Sequence, residues 1–339
     1  MIRNETELED RLSEPTPQVI ETLAKLPGDI LFLGAAGKMG PTLARMAKRA
    51  SDAAGVKRRV IGVSRFSSGD DAALREHGIE TIRCDLLNEA GVNALPNVAN
   101  IVYMPGRKFG TTSGDASATW AINCFLPAVV CRRYSSSRIV ACSTGNIYPF
   151  TPVTGRGPSE AVPPNPVGEY GMSALGRERM FEYFSRSMGI PIAILRLNYA
   201  VDLRYGVVVD LAKKIVAGEP IDLAMGHFNV IWQGDANAMT LRAFDHVSTP
   251  PRVLNMTGPD VLRVRDVCQQ LGKALGQEPK FTGTEAENAL LSDATEGIRV
   301  LGPLRVTSDE LVAWVANWIK SGGRLLNKPT HFEARDGKF

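Results

Sequence analysis

The chain has 339 residues, 44% hydrophobic and 22% charged, with 39 Lys and Arg against 36 Asp and Glu. That length buries a full core in one large domain or two modest ones, and a net charge of +3 spread without a basic stripe excludes a nucleic-acid footprint. No apolar run approaches the ~20 residues of a membrane span. The acidic opening Met1-Ile2-Arg3-Asn4-Glu5-Thr6-Glu7 lacks the apolar core of a signal peptide, so a cytoplasmic location is expected. Cys84, Cys124, Cys131, Cys142 and Cys268 form no C-x-x-C pair, and neither a disulfide framework nor a metal site is expected.

Residues 1 to about 28 precede the first strand. Glu5 to Leu12 and Gln18 to Leu26 read as short helices separated by Pro15 and Pro17, a packing or subunit-contact appendage. Ile30 to Leu33 are four consecutive apolar residues, the pattern of a strand buried on both faces. Further strands are expected at 59–64, 80–84, 100–104, 138–143 and 191–197, with a long helix over 117–134. This alternation argues a doubly wound parallel α/β sheet. After Asn198 the pattern loosens. Helices are expected at 205–217, 235–246 and 262–275, short strands at 219–223 and 229–232, and a last helix opened by the capping box Thr307-Ser308-Asp309-Glu310. Leu311, Val312, Trp314, Val315 and Trp318 give that helix a core-facing side. The division expected is 1–28 as an extension, 29–202 plus about 227–256 as the nucleotide domain, and 203–226 plus 257–339 as a smaller mixed substrate lobe.

The first strand runs into Gly34-Ala35-Ala36-Gly37-Lys38-Met39-Gly40, and a helix follows. Unpaired N–H groups and the helix dipole make such a junction an anion site. Glycine lets a pyrophosphate approach the backbone, so this G-x-x-G-x-x-G predicts dinucleotide binding. The second strand ends in Ser64-Arg65, with no carboxylate to hold the ribose hydroxyls of NAD. A hydroxyl and a guanidinium suit a 2′-phosphate, and Lys38 is expected to add a cation to the same corner. NADP(H) is therefore expected, with NAD(H) the alternative. Asp85-Leu86, closing the third strand, is placed for the adenine. Pro105 and Gly106, in the loop after the fourth, line the crevice at the strand ends.

In this order and spacing the motifs resemble the extended short-chain dehydrogenase/reductases, in their epimerase/dehydratase branch, from Ile30 nearly to Trp318. The resemblance takes in the glycine loop, Asp85-Leu86, Asn123 in the long helix, Ser143-Thr144-Gly145-Asn146-Ile147-Tyr148, Tyr170-Gly171-Met172-Ser173 and Arg196-Leu197-Asn198. It implies a Rossmann-type fold, cofactor contacts from Asn123, Tyr170 and Asn198, and a Thr144–Tyr170 pair on the reacting oxygen. In that family a Lys four residues after the Tyr binds the nicotinamide ribose and lowers the Tyr pKa. Here that position is Ala174.

A phenol with pKa near ~10 is a poor base at neutral pH, and a cation within ~4–6 Å depresses it. Two residues are candidates for the missing charge. Arg177 lies seven residues on, on the same helix face; Lys108 follows Pro105-Gly106-Arg107 in the loop after strand four, where it could also contact substrate. His227 and Asn229 are candidate substrate contacts. The reading is an NADP(H)-dependent oxidoreductase or epimerase/dehydratase acting on a hydroxylated, sugar-like small molecule with an altered Tyr relay. The alternative is a non-catalytic NAD(P)-binding sensor or scaffold. The resemblance further implies a homodimer through the long helices around Trp120 and Phe181.

Overall fold

The computed structural model describes residues 1–67, 69, 71–108 and 115–337. Seven strands form the central sheet: β1 (Ile30–Leu33), β2 (Val60–Ser64), β3 (Glu80–Arg83), β4 (Asn100–Tyr103), β5 (Arg138–Thr144), β6 (Ile192–Leu197) and β7 (Arg252–Met256). Their order is β7-β6-β5-β4-β1-β2-β3, and every pair is parallel. All four residues of β1 and of β4 are buried, as a parallel sheet covered on both faces requires. Successive side chains feed opposite layers: Ile30 and Phe32 join one apolar cluster, Leu31 and Leu33 the other. The winding reverses between β1 and β4, and the crevice for a ligand opens there, at the carboxyl ends of the strands.

The seventh strand was not expected. Its short, half-polar run Arg252-Val253-Leu254-Asn255-Met256 becomes a strand because β6 offers five residues of parallel pairing. Helix Thr295–Leu301 lies on it so closely that a Cβ on Gly297 would overlap the Asn255 carbonyl oxygen, and Glu160 Oε1 accepts the Asn255 N–H at 2.6 Å.

The helices that matter for the site are α1 (Glu5–Leu12), α2 (Pro17–Lys25), α3 (Gly40–Ala53), the helical run α4 over 116–133, α5 (Gly168–Met188), α6 (Val207–Ala217), α7 (Gln233–Arg242), α8 (Val264–Leu275) and α9 (Ser308–Lys320). α4 consists of Ala116–Trp120, a π-helical turn Ala121–Phe125, and Leu126–Arg133. The leader helices start on side-chain caps, Asn4 accepting from the Glu7 N–H and Thr16 from that of Val19. Leu8 and Leu12 of α1 enter the C-terminal core, whereas Val19 and Leu23 of α2 enter the sheet core. The leader thus ties the two cores together. α6, α8 and α9 build the C-terminal core, with the expected capping box at Thr307–Glu310. Trp318 is buried there, and Trp314 meets Trp232 edge-on at 5.4 Å. Phe181 is fully buried, edge-on to Tyr103 at 5.0 Å. This corrects its expected place on a dimer surface: it is a core residue of α5.

The carboxyl ends of β5 and β6 are locked to α5 by buried charges. Arg196 donates to both Glu178 oxygens, with Nη2–Oε2 at 2.8 Å, and to the Tyr148 hydroxyl at 2.6 Å. Ser143 Oγ donates to Glu178 Oε1 at 2.5 Å, and the Tyr148 hydroxyl donates to Asn255 Oδ1 at 2.9 Å. Losing one partner of such a pair leaves a bare buried charge. Glu178→Gln is expected to cost about 3–5 kcal/mol in urea unfolding, and Glu178→Leu with Arg196→Met far less than the two single costs together.

Candidate active site

The glycine loop is built by three different demands. Gly34 has φ +83° and lies against Pro105, whose nitrogen would be 3.1 Å from a Cβ there. Gly40 opens α3 where a Cβ would overlap the Ala35 backbone. A Cβ on Gly37, by contrast, would approach only the Gly34 oxygen, at 3.2 Å, and Gly37 is exposed. The Gly34 and Ala35 N–H groups bond Val63 O and pin the turn to β2. α3 starts at Met39 without a side-chain cap; within its first turn the Gly40 N–H bonds Gly37 O and Pro41 has no N–H, so the room for an anion lies over the exposed Gly37. The residues present fit a dinucleotide pyrophosphate.

Around this loop the expected cofactor positions separate. Ser64 closes β2 half-buried and Arg65 is exposed beside it. Asp85 is exposed and accepts the Leu87 N–H, while Leu86 packs into the sheet core. Lys38 is a correction. It turns away from the Arg65 corner toward the C-terminal lobe, with Nζ 3.4 Å from the centre of the Tyr205 ring. Burial, then the charges of Lys328 and Lys108, push its amine down to about 7.

Asn123 is a second correction. Its Oδ1 accepts from Arg107 N at 2.9 Å and Arg177 Nη2 at 2.7 Å, and its Nδ2 donates to Arg107 O at 3.0 Å and Ser173 Oγ at 2.9 Å. Both donors and both lone pairs are filled, so Asn123 has nothing left for a cofactor. It clamps the loop after β4 onto α5. The π turn that carries it aims the amide this way. Arg177 is a third. Its other terminal nitrogen donates to Cys142 O at 3.0 Å, and the guanidinium passes so close beneath Gly106 that a Cβ there would be 2.8 Å from Nη2. Both terminal nitrogens serve as scaffold beneath the loop rather than as a charge for Tyr170.

Thr144 and Tyr170 lie on elements that pack together. A Cβ on Gly171 would lie 2.7 Å from Asn146 O, so the first turn of α5 packs directly on the 3₁₀ turn Gly145–Ile147. Ser173 Oγ donates to Tyr170 O at 2.9 Å and braces that turn. Thr144 Oγ1 donates to Asn146 Oδ1 and accepts the Asn146 N–H, which leaves one lone pair for a substrate hydroxyl. Ala174 is fully buried in an apolar cluster with Ile147 and Tyr148. Lys108 Nζ lies 6.0 Å from the centre of the Tyr170 ring and donates to Thr330 O at 2.8 Å. Burial pushes its amine down to about 8 against the pull of Glu333 and Asp210.

Other expected contacts fall in the walls. Asn198 is 1% exposed behind Gly145, its Nδ2 without a protein partner. Asn229 is committed to Asp260 O and the Ser292 N–H, a correction of its expected substrate role. His227 belongs to a two-residue strand, His227–Phe228, paired with Leu262–Arg263. Tyr199, Tyr205, Asp210 and Thr330 escaped the sequence reading. Burial raises the Tyr199 and Tyr205 phenols, and Tyr170 adds to the shift of each. Tyr199 is held at φ +50°, a conformation uncommon for a bulky residue and frequent at functional sites.

A parallel sheet whose first strand runs into a glycine turn beside its switch point is the plan of a dinucleotide-binding fold. The comparisons agree: the model of the NAD dependent epimerase/dehydratase family matches residues 30–247, and the chain belongs to that family. A search of curated proteins finds no match. Among solved structures, the chain is similar to the UDP-glucose 4-epimerase of Thermotoga maritima with UDP-glucose, at 18% identity and TM-score 0.69, covering 87% of this chain and 99% of that one. It is also similar to the UDP-glucuronic acid 4-epimerase of Bacillus cereus with UDP-glucuronic acid and NAD, at 19% identity and TM-score 0.69, covering 86% and 99%. Among the described residues, no helix is long and apolar enough to cross a membrane.

Restoring the family's lysine should not restore a cation here. Ala174→Lys forces a long charged chain among Ile147 and Tyr148, and is expected to lower stability by about 1–3 kcal/mol, read as the shift in urea midpoint.

Proposed function

We propose that this protein is an NADP(H)-dependent enzyme acting on a hydroxylated, sugar-like substrate, in which Lys108 supplies the charge that position 174 lacks. What supports this reading is that Lys108 Nζ lies 6.0 Å from the centre of the ring of Tyr170, which stands on a helix turn packed against the turn that follows Thr144. Gly34, Gly37, Met39 and Gly40 hold the pyrophosphate, Ser64 and Arg65 the adenosine phosphate, Asp85 and Leu86 the adenine, and Pro105 and Gly106 line the crevice. A bound nicotinamide supplies hydride transfer. Tyr170 moves the proton at the reacting substrate oxygen, the Thr144 hydroxyl turns from Asn146 Oδ1 to donate to that oxygen, and the Lys108 ammonium favours the phenolate. Residues 203–226 and 257–339 form the substrate side, where Tyr205 offers a ring to a sugar, with Tyr199 at the end of the nucleotide domain as a second. A homodimer would use the exposed Phe125, Met172 and Tyr183 of α4 and α5.

UDP-glucose and UDP-glucuronic acid, found in the similar structures, are the first substrates to try, with product analysis for an epimerisation that leaves no net cofactor turnover. Tyr170→Phe is expected to lower turnover about 100-fold or more, with NADPH affinity, followed by nicotinamide fluorescence, changed less than about twofold. Lys108→Met is expected to lower turnover at least about tenfold at neutral pH. Full activity in either variant contradicts the relay. Arg65→Ala is expected to weaken NADPH by about tenfold and NADH hardly at all, since the lost charge-assisted bond serves only the extra phosphate. A wild-type protein that prefers NADH contradicts the NADP reading.

A further inference from the structure

After α9 the chain does not leave the molecule. Residues 327–337 run back across the C-terminal lobe to the start of α5. Phe332 is buried, edge-on to Phe228 at 5.9 Å. Lys214 pairs with Glu333 at 3.3 Å, and Arg335 donates to Ala224 O and Asn288 O. The segment ends against Gly168, where a Cβ would lie 2.6 Å from Gly337 O, two residues before Tyr170. Midway, Asp210 Oδ2 of α6 accepts both the N–H and the hydroxyl of Thr330, each at 2.7 Å. The carbonyl of that same residue takes the Lys108 ammonium at 2.8 Å.

We propose that this C-terminal segment is part of the active site, with Asp210 and Thr330 as positioning residues that hold Lys108 beside Tyr170. The proposal rests on the reading of Lys108 given above. A lysine side chain has four flexible methylenes and a strongly hydrated head, and on a loop it turns toward water unless an acceptor inside the protein holds it. Thr330 O is such an acceptor, and Asp210 fixes where that oxygen stands. The charges around the ammonium divide: Asp210 and Glu333 attract it, while Lys38, flanked by Lys328, repels it. A bond of fixed direction, more than net attraction, therefore sets its place. The cation of the relay is set in place by three distant stretches, the loop after β4, α6 and the C-terminal segment.

The test is the pH dependence of Lys108 acylation in the full chain, read by peptide mass spectrometry, because only the neutral amine reacts. The wild type is expected to show a midpoint near pH 8. Asp210→Ala frees Thr330 and lets Lys108 reach water, so the midpoint should rise by about one unit or more toward the ordinary ~10.4. Asp210→Asn keeps the accepting oxygen without the charge and should not raise it. Thr330→Val, which removes only the hydroxyl bond, should raise it less, and serves alone if Asp210→Ala does not fold. If Asp210 acted only as a nearby anion, its loss would lower the midpoint. A fall or no change in Asp210→Ala, or no rise in Thr330→Val where that variant stands alone, overturns the proposal. Unimpaired turnover in Lys108→Met would instead bring down the relay reading, and the Asp210 titration would still decide who positions Lys108.

Discussion

The site depends on one buried ion pair. Arg196 and Glu178 are each about nineteen-twentieths buried, and charges so placed survive only when their remaining donors and acceptors are filled. Here they are filled by groups whose positions matter. Ser143 completes Glu178, and Tyr148 completes Arg196. Since alternate residues of a strand face opposite ways, burying Ser143 in this network turns Thr144 toward the crevice. Since Glu178 lies two turns along α5 from Tyr170, the same pair sets the height at which the phenol stands. The pair works as a jig more than as a source of stability.

The absence of a lysine at 174 has a local setting, and the proposed remedy for it is distant. Ile147 and Tyr148, the residues after the Thr144 turn, fill the space beside Ala174. Asn123, which the family pattern placed near the cofactor, and Arg177, which helix spacing offered as a charge for Tyr170, are used in fastening the loop after β4. That fastening sets the loop one residue ahead of Lys108. Under the reading proposed for Lys108, a charge carried by a helix is exchanged for one carried by a loop and held by the Thr330 carbonyl of the C-terminal segment.

Much of this was written locally. Four apolar residues at Ile30 to Leu33, the glycines at 34, 37 and 40, and the capping box at Thr307 each declare themselves through neighbours within a turn or a strand. Thr144 and Tyr170 were singled out by pattern and spacing. What was not legible came from partners far along the chain. β7 exists because β6 pairs with it. Phe181 looked available on a long helix because nothing in its surroundings announces Tyr103. The saturation of Asn123 depends on a π turn that no propensity marks, and the union of Lys108 with Thr330 spans more than two hundred residues.

The two margins of the sheet also have a consequence. On one side Glu160 takes the outward amide of Asn255 and helix Thr295–Leu301 covers its carbonyl; on the other, β3 carries the exposed Glu80 and Arg83, with Arg59 bound to Glu80 at 2.8 Å. An unguarded strand is a template for another chain. With both borders blunted, the seven-stranded ribbon is ill placed to propagate from one molecule to the next.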